Sequence, residues 1–236
     1  MRVEQATGRV LSGPLEDVYV YQAPLRLWHW ITSFCICALA PTGFLIGAPP
    51  PSIGGEATYS FLMGWVRMIH VSVGMVLIAL YALRVYWVFA GNRHARSIFL
   101  PAVWSGAWWK GLVEQLKYYM FLRDHADNYV GHNPLAQFVM MLNFNVVLVV
   151  LIITGLGLHA QGYGWGSPWM NAFGWVTTLF GTPQTVRTVH HMMMWAMLLF
   201  IMTHFYMVIR EDVMHSATVF GVMGSGIRMF KREVKH

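Results

Sequence analysis

Between positions 128 and 186 the chain carries no Asp, Glu, Lys or Arg. A soluble domain averages about 25% charged residues and does not leave gaps of that length. The rest of the sequence agrees: 11% of residues are charged, 56% are hydrophobic and the mean hydropathy is +0.48. A hydrocarbon core ~30 Å thick is crossed by ~20 apolar residues of helix. Helices are favoured there because they satisfy their own backbone polar groups, which lipid cannot do. Four stretches are long enough, at about 24–47, 61–90, 134–159 and 186–210. The first opens with Pro24, a residue suited to a helix start. The expectation is an all-α membrane protein, a four-transmembrane-helix bundle forming a single membrane domain over 1–236, with tails 1–23 and 211–236.

The formal charge of +6 raises the question of a nucleic-acid partner, and its distribution answers it. Basic residues flank apolar segments, and no basic run is interleaved with aromatics in the manner of a nucleotide-stacking surface; no nucleic-acid partner is expected. Arg2, Arg9 and Arg26 precede or open the first span. Arg93, Arg96, Lys110, Lys117 and Arg123 lie between the second and third, and Arg210, Arg228, Lys231, Arg232 and Lys235 close the chain. The opposite side offers only Arg187, since 48–60 has no Lys or Arg. By the positive-inside rule both termini are expected in the cytoplasm of a multi-pass protein of the bacterial inner membrane. The first 22 residues contain Glu4, Glu16 and Asp17 and do not read as a signal peptide. Within the cytoplasmic loop, "WSGAWWKGLVEQLKYYMFL" (104–122) spaces Lys110, Glu114 and Lys117 at helical intervals. It is expected to be an amphipathic helix in the headgroup plane.

Ionisable side chains inside a membrane are costly and need a reason. His29, His70, His190, His191 and His204 all fall in the spans. Following the chain back and forth places His70 and His190 near the outer face and His29 and His204 near the inner one. His190 and His204 stand fourteen residues apart; at about 100° per residue they return to within about 40° of each other on the helix. Their axial separation is about 21 Å, most of the hydrocarbon thickness. One helix thus offers one imidazole to each level, and the first two helices each offer a partner. Two stacked bis-histidine sites in a low-dielectric sheath are what two b-type haems require. His191 lies roughly 140° from His204 and is read as structural. His94, His125, His132, His159, His215 and His236 fall in loops, tails or span ends. Cys35-x-Cys37 reads as small apolar filling, with no Cys-x-x-Cys-His for covalent haem attachment. The run Met192–Met194 reads as packing, because consecutive helical residues cannot converge on one metal.

Two of these segments resemble a known family. "RLWHWITSFCICALAPTG" (26–43) and "RTVHHMMMWAMLLFIMTH" (187–204) resemble the two signatures of the b-type cytochrome subunit of membrane-bound nickel–iron uptake hydrogenases. "QAPLRLWHW", "GHNPLAQ", "IREDVM" and "GEATYSFLMGWVRMIH" (55–70) add to the likeness, which covers roughly 19–230. Val189 departs from it, since an aromatic residue precedes the histidine in the family pattern. The wider family includes cytochrome b subunits of formate dehydrogenases and thiosulfate reductases, which remain alternatives. The resemblance implies haem ligation by His29, His70, His190 and His204, paired His70/His190 and His29/His204. It also implies hydrogenase small and large subunits at the outer, periplasmic face, with electrons passing inward through two haems to a quinone.

Haem propionates favour arginine. Arg67 and Arg187 lie near the outer level and Arg26 and Arg210 near the inner one, so these four are candidate partners. Quinone reduction needs hydrogen-bonding groups at the cytoplasmic end, and His132, Asn133 and Gln137 are candidates, although Asn133-Pro134 also reads as a plain helix start. Asn143 and Asn145 lie deeper and are expected to bond between helices. A third alternative, a transition-metal transporter, calls for carboxylates near the midplane, and none lies inside a span.

Overall fold

A computed structural model of the chain describes all residues except 1, 4–8, 13–16, 52–60, 126, 216–218 and 229–236. Positions 55–60 of the family-like segment and His236 therefore lie outside the described residues. Four long apolar helices dominate: α1 (Ala23–Gly47), α2 (Leu62–Ala90), a third begun by α5 (Pro134–Leu142) and completed by α6 (Leu148–Gln161), and α9 (Pro183–His215). All four are long and apolar enough to cross a membrane. Their surfaces leave Phe34, Leu83, Leu199 and Phe205 exposed, as expected where lipid is the solvent. Short helices join them, α3 (Arg93–Phe99) and α4 (Gly106–Tyr119) before the third and α7 (Pro168–Phe173) and α8 (Trp175–Phe180) before the fourth, and α10 (Val219–Ser225) follows α9.

The helices begin and end where local chemistry dictates. Asn133 caps α5, its side-chain oxygen accepting from the Ala136 N–H at 2.8 Å with Pro134 in the first turn. The fourth span starts at Pro183, earlier than the charge pattern suggested. Thr182 accepts from the Thr185 N–H at 3.1 Å, so a Thr-Pro start extends the helix back past Arg187. A π-helical turn, Asn143–Val147, links α5 to α6. There Asn145 donates to the Phe99 carbonyl at 3.0 Å, bonding the third span to the end of α3 as its depth suggested.

The chain forms two compact units. One comprises Met1–Leu27, Val85–Val146 and Leu199–His236. It holds most of the charged contacts, and the tails contribute structure that helical periodicity does not reveal. Short strands β1 (Arg2–Val3) and β2 (Val10–Ser12) pair antiparallel, as do β3 (Val18–Tyr19) and β4 (Ile227–Arg228). Gly226, at φ +83, turns the chain so that its carbonyl accepts from both the Val20 and Tyr21 N–H groups. Within the same unit α4 buries Trp108, Gly111, Gln115 and Tyr118, one face at three- and four-residue spacing, against α5. A side chain at Gly111 would meet Pro134 and the Tyr129 hydroxyl at 3.0 Å, so glycine sets this close approach. The other face of α4 exposes Trp109, Val113 and Leu116.

The other unit comprises Trp28–Arg84 and Val147–Leu198. Trp28 on α1 donates to the Leu80 carbonyl on α2 at 2.9 Å, and Phe44 meets Trp195 of α9 edge-on at 5.2 Å. α7 and α8 fold back on α6, where Gln161 donates to the Thr177 hydroxyl at 2.8 Å. This second unit contains the cavity described next.

Candidate cofactor site

α1, α2, α6 and α9 line a half-open cavity of about 1000 Å³, its walls mainly Leu, Ile, Met and Gly. Its volume matches cofactor pockets of roughly 300–1,000 Å³. His70 of α2 and His190 of α9 face each other there, with ring centroids 6.5 Å apart and ring planes at 66°. Each imidazole is held from a neighbouring helix. Thr42 of α1 bonds His70 Nδ1 at 2.9 Å, and Thr154 of α6 bonds His190 Nδ1 at 2.8 Å. The next residue in each case is glycine. A Cβ on Gly43 would lie 3.4 Å from His70 Cε1, and one on Gly155 would lie 3.3 Å from His190 Cε1.

This donor set fits haem. A transition metal sits about 2.0 Å from an imidazole nitrogen, which is itself ~1.1 Å from its ring centre, so one metal between two imidazoles calls for centroids ~6.2 Å apart. With both Nδ1 atoms engaged by threonine, Nε2 is the nitrogen of each ring that remains for coordination. Among the described residues there is no cluster of three or more His, Cys, Asp or Glu able to hold a bare metal ion. A macrocycle that brings its own equatorial nitrogens needs only the two axial donors present. Arg67 and Arg187 line the same cavity and are exposed at its edge.

His191 also lines this cavity, packed on α1 so closely that a Cβ at Gly47 would approach its ring to 2.5 Å. His159, at the end of the third span, lines the cavity as well and sits edge-on to Tyr163 and Trp169 at 5.0 and 4.9 Å. Met194 is buried beside Gly43 while Met192 is exposed, which accords with packing roles for the methionine run.

The remaining pair falls in different units and is described separately. His29, half-buried on α1, lies edge-on to Trp30 at 5.2 Å. His204, half-buried on α9, stacks on Phe200 at 5.6 Å, and Phe200 meets Phe144 at 6.4 Å. Arg84, near the end of the second span, is only 1% exposed and lies over the Trp28 ring at 5.4 Å. Its signal in the sequence was an arginine among apolar residues on both sides, where a snorkelling side chain is ordinarily assumed.

Two of the four arginine candidates have contacts of their own. Arg26 donates to the Gly224 carbonyl. Arg210 pairs with Glu211 at 3.3 Å and lies over the Tyr118 and Tyr119 rings. Around the quinone candidates the first unit is densely bonded. His132 Nδ1 meets the Tyr21 hydroxyl at 2.6 Å. Gln137, 4% exposed, accepts from Trp108 Nε1 at 2.9 Å and donates to the His132 carbonyl at 2.8 Å. Asn133 Nδ2 reaches the Tyr119 hydroxyl at 3.5 Å, and that hydroxyl donates to Glu211 at 3.2 Å. Burial and the Glu211 charge raise the Tyr119 phenol well above its usual range, so it keeps its proton.

A membrane helical bundle that offers two tethered imidazoles to a cofactor-sized cavity has the makings of a membrane cytochrome. Residues 20–226 match the model of the family described as prokaryotic cytochrome b561. The chain is 46% identical over 216 residues to a probable Ni/Fe-hydrogenase B-type cytochrome subunit of Rhizobium leguminosarum bv. viciae, covering 92% of this chain and 90% of the relative. It is 42% identical over 235 residues to the subunit so named in Cupriavidus necator, covering 98% and 96%. A probable Ni/Fe-hydrogenase 1 B-type cytochrome subunit of Escherichia coli K12 is 39% identical over 215 residues, covering 90% and 91%. The chain belongs to the prokaryotic cytochrome b561 family, among the Ni/Fe-hydrogenase B-type cytochrome subunits.

Proposed function

We propose that this chain is the dihaem membrane anchor of a respiratory uptake hydrogenase, working as a single membrane domain in the bacterial inner membrane with both termini cytoplasmic. Its partners are the nickel–iron hydrogenase small and large subunits on the periplasmic face, and its electron acceptor is the quinone pool. The observation that carries this reading is the pair of threonine-tethered imidazoles, His70 and His190, 6.5 Å apart in an apolar cavity.

Haem b, when bound, supplies a one-electron iron couple. The chain's residues make the rest possible. His70 and His190 would hold the outer haem, and His29 and His204 the inner one. Arg67 and Arg187, at the cavity edge, suit anionic propionates of the outer haem. At the inner level Arg26 and Arg210 remain the proposed propionate partners, each also contacting a protein group. The apolar lining keeps water away from the ligands. For the quinone end, His132 and Asn133 remain the proposed contacts at the start of the third span, and Gln137 is assigned a structural role because it is buried with both ends of its amide engaged, whereas Asn133, though also bonded at both ends, is only half-buried. The exposed apolar face of α4 suits a position in the headgroup layer.

The test is haem stoichiometry in the purified full chain. Two haems b per chain are expected. His70→Ala or His190→Ala should remove one, and His29→Ala or His204→Ala the other. Absence of a reducible b-type spectrum refutes the haem reading, and equal loss of both haems from every variant refutes the pairing. Recovery with formate-oxidising instead of nickel–iron subunits refutes the hydrogenase assignment.

A further inference from the structure

The sequence contains Thr-Gly at 42–43 and again at 154–155, on different helices. In the structure each dipeptide contacts one of the two histidines of the cavity, threonine at Nδ1 and glycine beside Cε1. We infer that Thr42 and Thr154 are positioning residues for the axial ligands: a repeated Thr-Gly clamp that fixes the tautomer and ring orientation of His70 and His190 and thereby tunes the potential of the haem between them. The inference rests on the proposed ligation by those two histidines.

The argument is one of proton counting. A threonine hydroxyl has one hydrogen to give. Thr42 lies 2.7 Å from the Ala38 carbonyl and Thr154 lies 2.6 Å from the Val150 carbonyl, each four residues back in its own helix. These carbonyls can only accept, so each hydroxyl donates to its helix. The contact with histidine then has one direction: Nδ1–H donates, and the threonine oxygen accepts alongside the Leu39 carbonyl at His70 and the Leu151 carbonyl at His190. Both imidazoles are thereby fixed as the tautomer with an unprotonated Nε2. Thr154 is fully buried, and Thr42 is half-buried in the span.

The glycines complete the clamp. A Cβ would sit tight against His190 at Gly155, at 3.3 Å, and in van der Waals contact with His70 at Gly43, at 3.4 Å, so glycine leaves each ring room to lie close against the neighbouring helix, within reach of the hydroxyl. Ring nitrogens bonded to an outer acceptor make more basic metal ligands. A more basic ligand stabilises ferric over ferrous iron, so losing the acceptor should raise the reduction potential.

The test uses the full chain in isolated membranes, with potentiometric titration of the haem α-band and low-temperature EPR of the ferric state. Thr42→Val and Thr154→Val keep side-chain shape and remove the acceptor; Thr42→Ser and Thr154→Ser keep the hydroxyl. The double Val variant should shift the ferric–ferrous equilibrium of one haem about tenfold towards ferrous, or 59 mV for one electron, with altered ferric g-values. The other haem should not move, and the Ser variants should follow the parent chain. Loss of one haem from the Val variants but not from the Ser variants also supports the clamp. Unchanged potentials and g-values in the Val variants, equal shifts in both haems, or equal effects of Val and Ser overturn it. His70→Ala and His190→Ala run in parallel. If they keep both haems, the ligand assignment has failed; if each loses one haem while the Val variants are silent, only the clamp has.

Discussion

The assignment of Gln137 as a structural clasp makes a quantitative prediction. Its amide is buried between Trp108 of α4 and the His132 carbonyl, with bonds of 2.9 and 2.8 Å. Replacing Gln137 with Leu keeps approximate volume but strands the indole N–H of Trp108, which is 0% exposed, and the His132 carbonyl loses a donor. A buried polar group left without its partner costs about 1–3 kcal/mol. With two groups affected and some relaxation, the expected loss is about 2–4 kcal/mol. Trp108→Phe removes the donor from the other end, leaves the Gln137 oxygen unsatisfied and opens a small void, for about 2–3 kcal/mol. In the double variant the Trp–Gln penalty is incurred once, so the two losses should fall short of additivity by about 1–2 kcal/mol.

The assay is reversible unfolding of the haem-loaded chain in mixed micelles, followed by tryptophan fluorescence and haem absorbance together. Additivity within about 0.5 kcal/mol would refute the clasp. So would an unchanged stability of Gln137→Leu accompanied by a weaker quinone KM, since that result returns Gln137 to the quinone site. A quinone contact predicts no coupling to Trp108.

Three further outcomes follow from other contacts. Burial and the neighbouring Arg93 lower the His94 imidazole to about 4 from its usual 6.5, so it is neutral in the fold. The unfolded chain binds the extra proton first, so stability should be level above pH ~7 and fall by up to ~1.4 kcal/mol per unit between about 6.5 and 4, and unfolding midpoints of His94→Gln should lose that slope. Gly155→Leu should fill the wall beside His190 and remove one haem while leaving the other, as read from the reduced-minus-oxidised spectrum. At Gly157 a Cβ would lie 2.7 Å from Val176, so Gly157→Ala should cost about 1–3 kcal/mol and expose α8 to limited proteolysis, while Gly74→Ala, with open space around it, should not.

The spans were legible because lipid imposes a length and a polarity that few other environments demand. The fourteen-residue register of His190 and His204 was legible because a helix repeats at a known angle. What escaped notice has a common cause. Thr42 and Thr154 are unremarkable in an apolar helix, where a threonine bonds its own backbone, and only the approach of a second helix turns the hydroxyl towards a histidine. The same Thr-Gly pair on two helices was a visible signal, but nothing local says which histidine it serves. Arg84 escaped because burial of a cation depends on neighbours far away in sequence. The tail strands, two or three residues each, are too short for any alternation to register.

The chemistry of the cavity follows from what its helices omit. In 28–84 the one carboxylate is Glu56, outside the described residues, and 147–198 contains none. The imidazole N–H groups of His70 and His190 therefore meet neutral hydroxyls instead of carboxylates. A carboxylate would pull the proton harder and drive the ring towards imidazolate, at the cost of a buried charge that lipid does not solvate. A threonine already bonded to its own helix adds no charge and strands no polar atom. It accepts from the imidazole, orients it, and leaves it neutral. On the proposed ligation, that is the solution open to a span which presents a metal ligand while keeping its surface fit for lipid.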